Sequence, residues 1–154
     1  FHGMWNESID TLICHLGLKS ATWKDERSAS MRFIARCYQA LNRFEEARMW
    51  LDKAMEETPY LRDAFVERAL LEYRFENWKE VEFYCLKALE ITTKEKTYIN
   101  EPFSWDHTIY DLLSLSYYYQ GKKEEAMRYI DIALEINPKD ERLQKNKQFI
   151  EQMD

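Results

Sequence analysis

Large, small and aromatic side chains recur in the same order before two prolines, and this recurrence constrains the fold more than any other feature of the sequence. Counted back from Pro59 and from Pro138, the same offsets carry matching kinds of residue. Such self-similarity is typical of chains that stack short helical units instead of folding around one closed core. The matched residues are Met31, Ile34, Ala35, Tyr38, Ala47, Leu51 and Ala54 before the first proline, and Tyr110, Leu113, Ser114, Tyr117, Ala126, Ile130 and Ala133 before the second.

A third copy lies between these two and matches less well. Its small residue, Ala69, follows Ala35 by 34 residues, which is about the length of one two-helix repeat. This copy places Arg68 where an apolar residue is expected and Glu72 where an aromatic residue is expected. The next step, from Ala69 to Ser114, is 45 residues, so the sequence predicts an insertion of eleven residues before the last copy.

The small residues predict close packing of two antiparallel helices in each copy. Ala35 and Ala47 fall on facing helices, where only a small side chain lets the backbones approach. Each proline ends the second helix, because it lacks an amide hydrogen and clashes with the preceding turn. Asn42 and Gly121 fall between the two helices of their copies, where left-handed geometry is expected, and Asn77 lies one position late in the second copy.

The composition favours an all-α fold and excludes several classes of function. Glycine and proline number three each, which leaves too little turn chemistry for a many-stranded sandwich or barrel. The net charge of −6 offers no overall basic field for nucleic acid or an anionic membrane surface. No apolar run approaches the roughly 20 residues of a membrane span. The three cysteines fit neither a zinc site nor a closed disulfide framework, so a cytoplasmic location is expected.

The three copies together resemble tetratricopeptide repeats. The resemblance implies a right-handed α-solenoid of about three helix-turn-helix repeats with flanking capping helices. The N-terminal helix is interpreted as a cap or as the remnant of an upstream domain, and Asp140 is expected to cap the last helix. The predicted divisions are an N-terminal helix at 1–20, repeats at 21–60, 61–93 and 107–138, an insertion at 94–106, and a C-terminal capping helix at 139–154.

Four segments are also similar to the helical region that follows the catalytic domain in bacterial and phage family-two glycosyltransferases bearing such repeats. This resemblance implies that the parent polypeptide transfers a sugar from a nucleotide donor. It places no chemistry in this chain, since the Asp-x-Asp metal motif of those catalytic domains does not occur in the sequence. The four segments are Ser20–Ser28, Phe33–Tyr38, Tyr60–Asp63 and Tyr98–Asp106.

No group of residues points to catalysis, to a cofactor or to a metal site. His2, His15 and His107 have no cysteine or carboxylate at metal-ligand spacing, and three glycines cannot build a phosphate-binding loop. Asp106 and His107 are adjacent on one helix and are interpreted as a helix start. We therefore expect the chain by itself to be no enzyme.

Partner binding is expected on the concave face, which the first helix of each repeat lines. Arg32 and Arg36 lie four residues apart, a spacing that suits a carboxylate, a phosphate or a partner's acidic side chain. Alternatively, the two arginines pair with Glu67 or Asp63 on the next helix and hold the repeats in register. The candidate partner-binding residues are Arg32, Phe33, Arg36, Glu67, Leu70, Tyr73, Asp111, Leu115, Tyr118 and Tyr119.

The insertion and the function each leave two alternatives. Tyr98, Phe103 and Trp105 either pack back over the second and third repeats, which is favoured, or form an exposed docking patch. The favoured function is a non-catalytic positioning module whose groove binds a protein or peptide partner, or the catalytic domain of the same polypeptide. The alternative is self-association of the parent enzyme as a homo-oligomer, with the groove incidental. Neither nucleic acid nor a membrane is expected as a partner.

Overall fold

A computed structural model describes residues 2–154 and shows an all-helical chain. Within these residues there are eight α-helices, one short 3-10 turn and no strand. This confirms the predicted all-α solenoid of helix-turn-helix repeats. The helices are α1 (His2–Leu16), α2 (Lys24–Ala40), α3 (Phe44–Glu57), α4 (Asp63–Arg74), α5 (Trp78–Glu90), α6 (Thr108–Tyr119), α7 (Lys123–Ile136) and α8 (Glu141–Glu151), and the 3-10 turn is Pro102–Ser104.

The helices pack as consecutive hairpins. Helices α2 and α3, α4 and α5, and α6 and α7 form the three repeats, and each pair is joined by a connection of three residues. Helix α1 packs on α2 and helix α8 packs on α7, so the two flanking helices cover the ends of the stack. A terminal helix of this kind shields the apolar face that the last repeat would otherwise expose to water.

The alanines that set the helix spacing are fully buried. Ala35, Ala47 and Ala54 have no exposed surface, and neither do Ala126 and Ala133 in the last repeat. The apolar core has two parts. One is formed by α1 and the first repeat together with Ala64 and Leu71 of α4, and the other by the second and third repeats with α8. Burial of each large aliphatic side chain in these cores contributes about 1.5–3 kcal/mol.

The turns inside the repeats require left-handed backbone geometry. Asn42 (φ 58°) and Gly121 (φ 75°) adopt it, as predicted. In the second repeat the left-handed residue is Glu76 (φ 56°), one position before Asn77. Asn77 instead precedes the first residue of α5, and its amide donates a hydrogen bond of 2.6 Å to Glu72.

The ends of the second helices agree with the proline pattern. Helix α3 ends two residues before Pro59, and α7 ends two residues before Pro138. Asp140 caps α8 as predicted, because its carboxylate accepts hydrogen bonds from the amides of Arg142 (3.0 Å) and Leu143 (3.2 Å). At the start of α6, Asp106 accepts a hydrogen bond of 2.8 Å from the amide of Thr108.

The polar residues of the weaker repeat form a buried ion-pair network. The side chain of Glu72 is 2% exposed and accepts hydrogen bonds from Arg48 of α3 (2.7 Å) and from Arg68 of its own helix (3.1 Å). Arg68 also pairs with Asp52 of α3. A charge network therefore takes the place of the aromatic and apolar residues that fill these positions in the other two repeats.

The connection between α5 and α6 folds back onto the repeats. Its 3-10 turn contacts α4 and α6, and Ser104 within it is fully buried. Arg62 donates hydrogen bonds to the carbonyls of Ile91 (2.8 Å) and Ser104 (3.1 Å), and its guanidinium lies 3.8 Å from the ring centroid of Trp105. This part of the insertion packs as predicted. Tyr98, however, is 81% exposed and contacts the ring of Trp23.

None of the helices in residues 2–154 combines the length and the apolar character that a membrane span requires.

Candidate partner-binding groove

The first helices of the repeats line the inner side of the solenoid. Helix α4 contacts both α2 and α6, which brings the three inner helices side by side. The ten predicted partner-binding residues all belong to these helices and differ widely in exposure. Phe33, Tyr73 and Tyr119 are exposed, Arg36, Leu70, Leu115 and Tyr118 are partly buried, and Arg32, Glu67 and Asp111 are buried.

Two arginines of α2 pair with a glutamate of α4 and a glutamate of the insertion. Glu67 accepts hydrogen bonds from Arg32 (2.8 Å) and Arg36 (2.5 Å), one on each carboxylate oxygen. Glu101 places a single oxygen 3.1 Å from Arg32 and 2.8 Å from Arg36. We name these four side chains the arginine cluster. The structure therefore shows the alternative in which the arginines pair with Glu67. The insertion adds a second carboxylate, that of Glu101.

Opposite charges in the arginine cluster stabilise the charged forms of Arg36 and Glu101. Burial by itself would lower the pKa of Arg36, but its hydrogen bonds and ionic interactions with Glu67 and Glu101 outweigh burial and raise that pKa. Burial would raise the pKa of Glu101, and the hydrogen bonds from Arg36 and Arg32 instead hold it below its ordinary value. Both groups are therefore charged at neutral pH.

Asp63 and Asp111 do not face an open groove. Asp63 accepts hydrogen bonds from the amide of Glu101 (2.8 Å) and from the hydroxyl of Ser104 (2.9 Å), so it holds the insertion and does not pair with the arginines. Asp111 was expected to line the groove, but Arg142 of α8 binds both of its carboxylate oxygens. The C-terminal helix thus covers Asp111 with an ion pair.

Aromatic side chains line the other end of the inner side, where the insertion does not reach. The rings of Trp78 and Tyr119 stack at 4.4 Å between centroids, with 9° between their planes. Tyr73 meets Trp78 edge to face at 5.7 Å, and Tyr118 meets Tyr119 in the same manner at 5.1 Å. Tyr119 is nevertheless 56% exposed, so the stack keeps one ring open to solvent.

A cavity continues from this stack toward the C-terminal helix. It has a volume of about 230 Å³ and lies between α6 and α8. Phe149 of α8 is 48% exposed and borders the cavity, whereas Leu143 and Ile150 of the same helix are buried. We name the surface formed by Tyr73, Trp78, Leu115, Tyr118, Tyr119 and Phe149 the aromatic groove.

Sequence reasoning missed four residues of this inner side. Glu101, Trp78, Arg142 and Phe149 come from the insertion, the start of a second helix and the C-terminal helix. None of these positions was expected to line the groove. For Phe149 a signal was available, because the apolar residues of α8 recur at helical spacing. Treating α8 as the first helix of a further repeat would have placed Phe149 beside α6.

The described residues contain no grouping suited to metal chemistry. Nowhere in residues 2–154 do three histidine, cysteine, aspartate or glutamate side chains lie close enough together to hold a metal ion. Cys85 is fully buried, and burial raises the pKa of its thiol, so it behaves as a small apolar side chain.

Two family models match the chain, and both describe tetratricopeptide repeats. One matches residues 33–60, which lie in the first repeat, and the other matches residues 107–140, which form the third repeat. The second repeat, with its buried charge network, lies outside both matches. No curated protein matches the chain.

Proposed function

We propose that this chain, in which residues 33–60 and 107–140 are tetratricopeptide repeats, is a protein-interaction module that binds an extended segment of a partner protein in the aromatic groove. The observation that carries the proposal is the stack of Trp78 and Tyr119, which keeps a large aromatic surface exposed. Aromatic side chains of this kind supply apolar contact area and a polar hydroxyl at little cost in side-chain entropy.

The groove is preorganised for such a segment. Each ring of the stack is held by a neighbour, Tyr73 against Trp78 and Tyr118 against Tyr119, so binding requires little further ordering. The cavity between Leu115 and Phe149 accommodates an apolar side chain next to the stack. The favoured partner is therefore a segment with an apolar or aromatic residue for the cavity and polar groups for the tyrosine hydroxyls.

Selection of peptides on the intact chain tests this function. Peptides from a displayed random library are selected on the chain and then titrated against Y119A and against F83A. Phe83 is a matched control, because it is an equally exposed aromatic residue, 54% exposed, on the second helix of its repeat. We expect Y119A to weaken binding about tenfold or more and F83A to leave it unchanged. Selected peptides that bind Y119A as tightly as the unaltered chain contradict the proposal.

Self-association is the second candidate function, and a separate apolar surface favours it. Met4 and Leu12 of α1 border a shallow groove against Phe33, and Met4 is 66% exposed. Sedimentation of the chain over a range of concentrations tests this function. A dimer that M4E disrupts supports it, and a monomer at all concentrations contradicts it.

We also propose that the module belongs to a cytoplasmic glycosyltransferase polypeptide of bacterial or phage origin. The support is the similarity of residues 20–28, 33–38, 60–63 and 98–106 to the helical region of family-two glycosyltransferases, and the three free cysteines fit a reducing compartment. In that setting the module raises the local concentration of an acceptor near the catalytic domain. A reading frame that encodes no nucleotide-sugar transferase domain together with this chain contradicts the proposal.

A further inference from the structure

A short part of the insertion lies across the arginine cluster in the manner of a bound peptide. The carbonyl of Ile99 accepts a hydrogen bond of 3.4 Å from Arg32, and the carboxylate of Glu101 lies against Arg32 and Arg36. The amide of Glu101 donates to Asp63, and its backbone is extended (φ −83°, ψ 135°). The inner helices thus recognise a backbone acceptor, a backbone donor and an acidic side chain of one extended segment.

Apart from these contacts of Ile99 and Glu101, the segment is attached at few points before residue 102. Residues 92–96 are exposed and lie in neither a helix nor a strand, and Tyr98 is almost fully exposed. The firm anchor is the following 3-10 turn, where Ser104 is buried and Trp105 lies against Arg62. The segment Ile99–Glu101 can therefore leave the arginines without unfolding α4 or α6.

We propose that Arg32 and Arg36 form a binding site for an acidic, extended segment of a partner protein, and that Ile99–Glu101 occupies this site when the partner is absent. This inference rests on the proposed function and names the chemistry of its partner. The two arginines carry two positive charges, and Glu67 balances one of them from α4. The second charge is balanced by Glu101, whose place a partner's glutamate or aspartate takes on binding.

The geometry favours a peptide over a simple anion. Asp63 accepts a hydrogen bond from a backbone amide, and a carboxylate at this point would repel phosphate. An extended peptide supplies the amide for Asp63 and the carboxylate for the arginines from one residue, as Glu101 does. The surface around the arginine cluster is also continuous with the aromatic groove. Helix α4 contributes Asp63 and Glu67 to the first surface and Tyr73 to the second.

Titration of a labelled peptide with the sequence of residues 97–104 tests the proposal. It is measured against the unaltered chain, E101A and E95A by fluorescence anisotropy. Glu95 is the matched control because it lies in the same exposed stretch, carries the same charge and makes no salt bridge with the arginines. We expect E101A to bind the peptide about tenfold more tightly than the other two proteins. A peptide with glutamine in place of its glutamate should bind all three equally weakly.

Two results overturn the inference in this experiment. One is equal affinity of E101A and E95A for the acidic peptide, and the other is equal affinity of E101A for the acidic and the glutamine peptides. Inorganic phosphate that competes as well as the peptide overturns it too. Adding R36Q to E101A should abolish the gain in affinity for the acidic peptide. Arg36 suits this test because its side chain is 41% exposed, so its replacement disturbs the core little.

Hydrogen exchange on the unaltered chain gives a second measurement that needs no substitution. At saturating acidic peptide, the amide of Glu101 should exchange at least about tenfold faster, because its bond to Asp63 is lost. An unchanged exchange rate at saturation shows that the peptide binds elsewhere, and it overturns the proposal that a partner displaces Ile99–Glu101. Since Y119A should leave this binding intact, failure here is distinguishable from failure of the aromatic groove.

Discussion

Arg48 donates a hydrogen bond of 2.7 Å from its Nε to Glu72 across the boundary between the first and the second repeat. Arg68 of the same helix and Asn77, which precedes α5, donate to the same carboxylate, at 3.1 Å and 2.6 Å. The stacking of the two repeats therefore depends on a buried charge and not only on apolar contact.

Removal of this carboxylate should destabilise the chain. E72A leaves Arg48 and Arg68 without their buried partner, and we expect a loss of about 2–3 kcal/mol in the free energy of unfolding. Urea denaturation measures the loss. E56A, which removes an exposed glutamate from α3, is the control and should change the stability by less than about 0.5 kcal/mol. Equal stability of the two variants would show that the network does not hold the repeats together.

The same carboxylate should make stability depend on pH. Burial by itself would raise the pKa of Glu72, but hydrogen bonds from Arg48, Asn77 and Arg68 hold it below the ordinary value of 4.5. A lowered pKa in the folded state means that the stabilisation is present above pH 4.5 and is lost as the pH falls below it. Denaturation curves between pH 3 and pH 7 should therefore show that the free energy of unfolding falls less steeply with decreasing pH in E72Q than in the unaltered chain. Identical slopes would contradict the lowered pKa.

Glu76 should be replaceable by glycine with a gain in stability. It adopts φ 56°, a conformation that disfavours side chains with a Cβ atom. We expect E76G to raise the thermal midpoint, with a gain of about 0.5–1 kcal/mol. The reverse change, G121A at φ 75°, should lower it by a similar amount, although open space surrounds the added Cβ. A midpoint that falls in E76G would show that the side chain of Glu76 stabilises the turn.

Enlarging a buried alanine should disturb the first repeat. Ala47 of α3 has no exposed surface, and A47L is expected to cost about 1–3 kcal/mol by overpacking. Ala40, at the exposed end of α2, provides the control, because A40L adds the same atoms where there is room. If thermal unfolding of A47L matched that of the unaltered chain, the packing described for α2 and α3 would be incorrect.

The fold followed from the sequence because its determinants are local. Ala35, Ala47 and Pro59 act through side-chain size and backbone chemistry within one repeat, and their spacing alone indicates which helices face each other. Residue type alone does not indicate the left-handed turn of the second repeat, because glutamate tolerates this geometry less well than asparagine does. Helix pairing nevertheless fixed the turn at Glu76, in the position equivalent to Asn42.

The site was predicted less completely because its contacts are long-range. Pairing of Arg32 with Glu67 was foreseeable, since the two residues lie about one repeat apart. Glu101 follows Arg32 by 69 residues and comes from a segment without periodicity, so no sequence pattern connects the two. Arg142 follows Asp111 by only 31 residues, and this ion pair shows how the C-terminal helix reshapes a groove that the repeats alone do not define.

Chemical-shift mapping by nuclear magnetic resonance, with a peptide selected on the intact chain, shows whether the partner binds in the aromatic groove. We expect the largest shifts on residues of the aromatic groove, above all Leu115, Tyr119 and Phe149. Residues of α3 and α5 such as Met49 and Phe83, which are also exposed, should be unaffected. Shifts concentrated on Met49 and Phe83, with the aromatic groove unperturbed, would contradict this expectation.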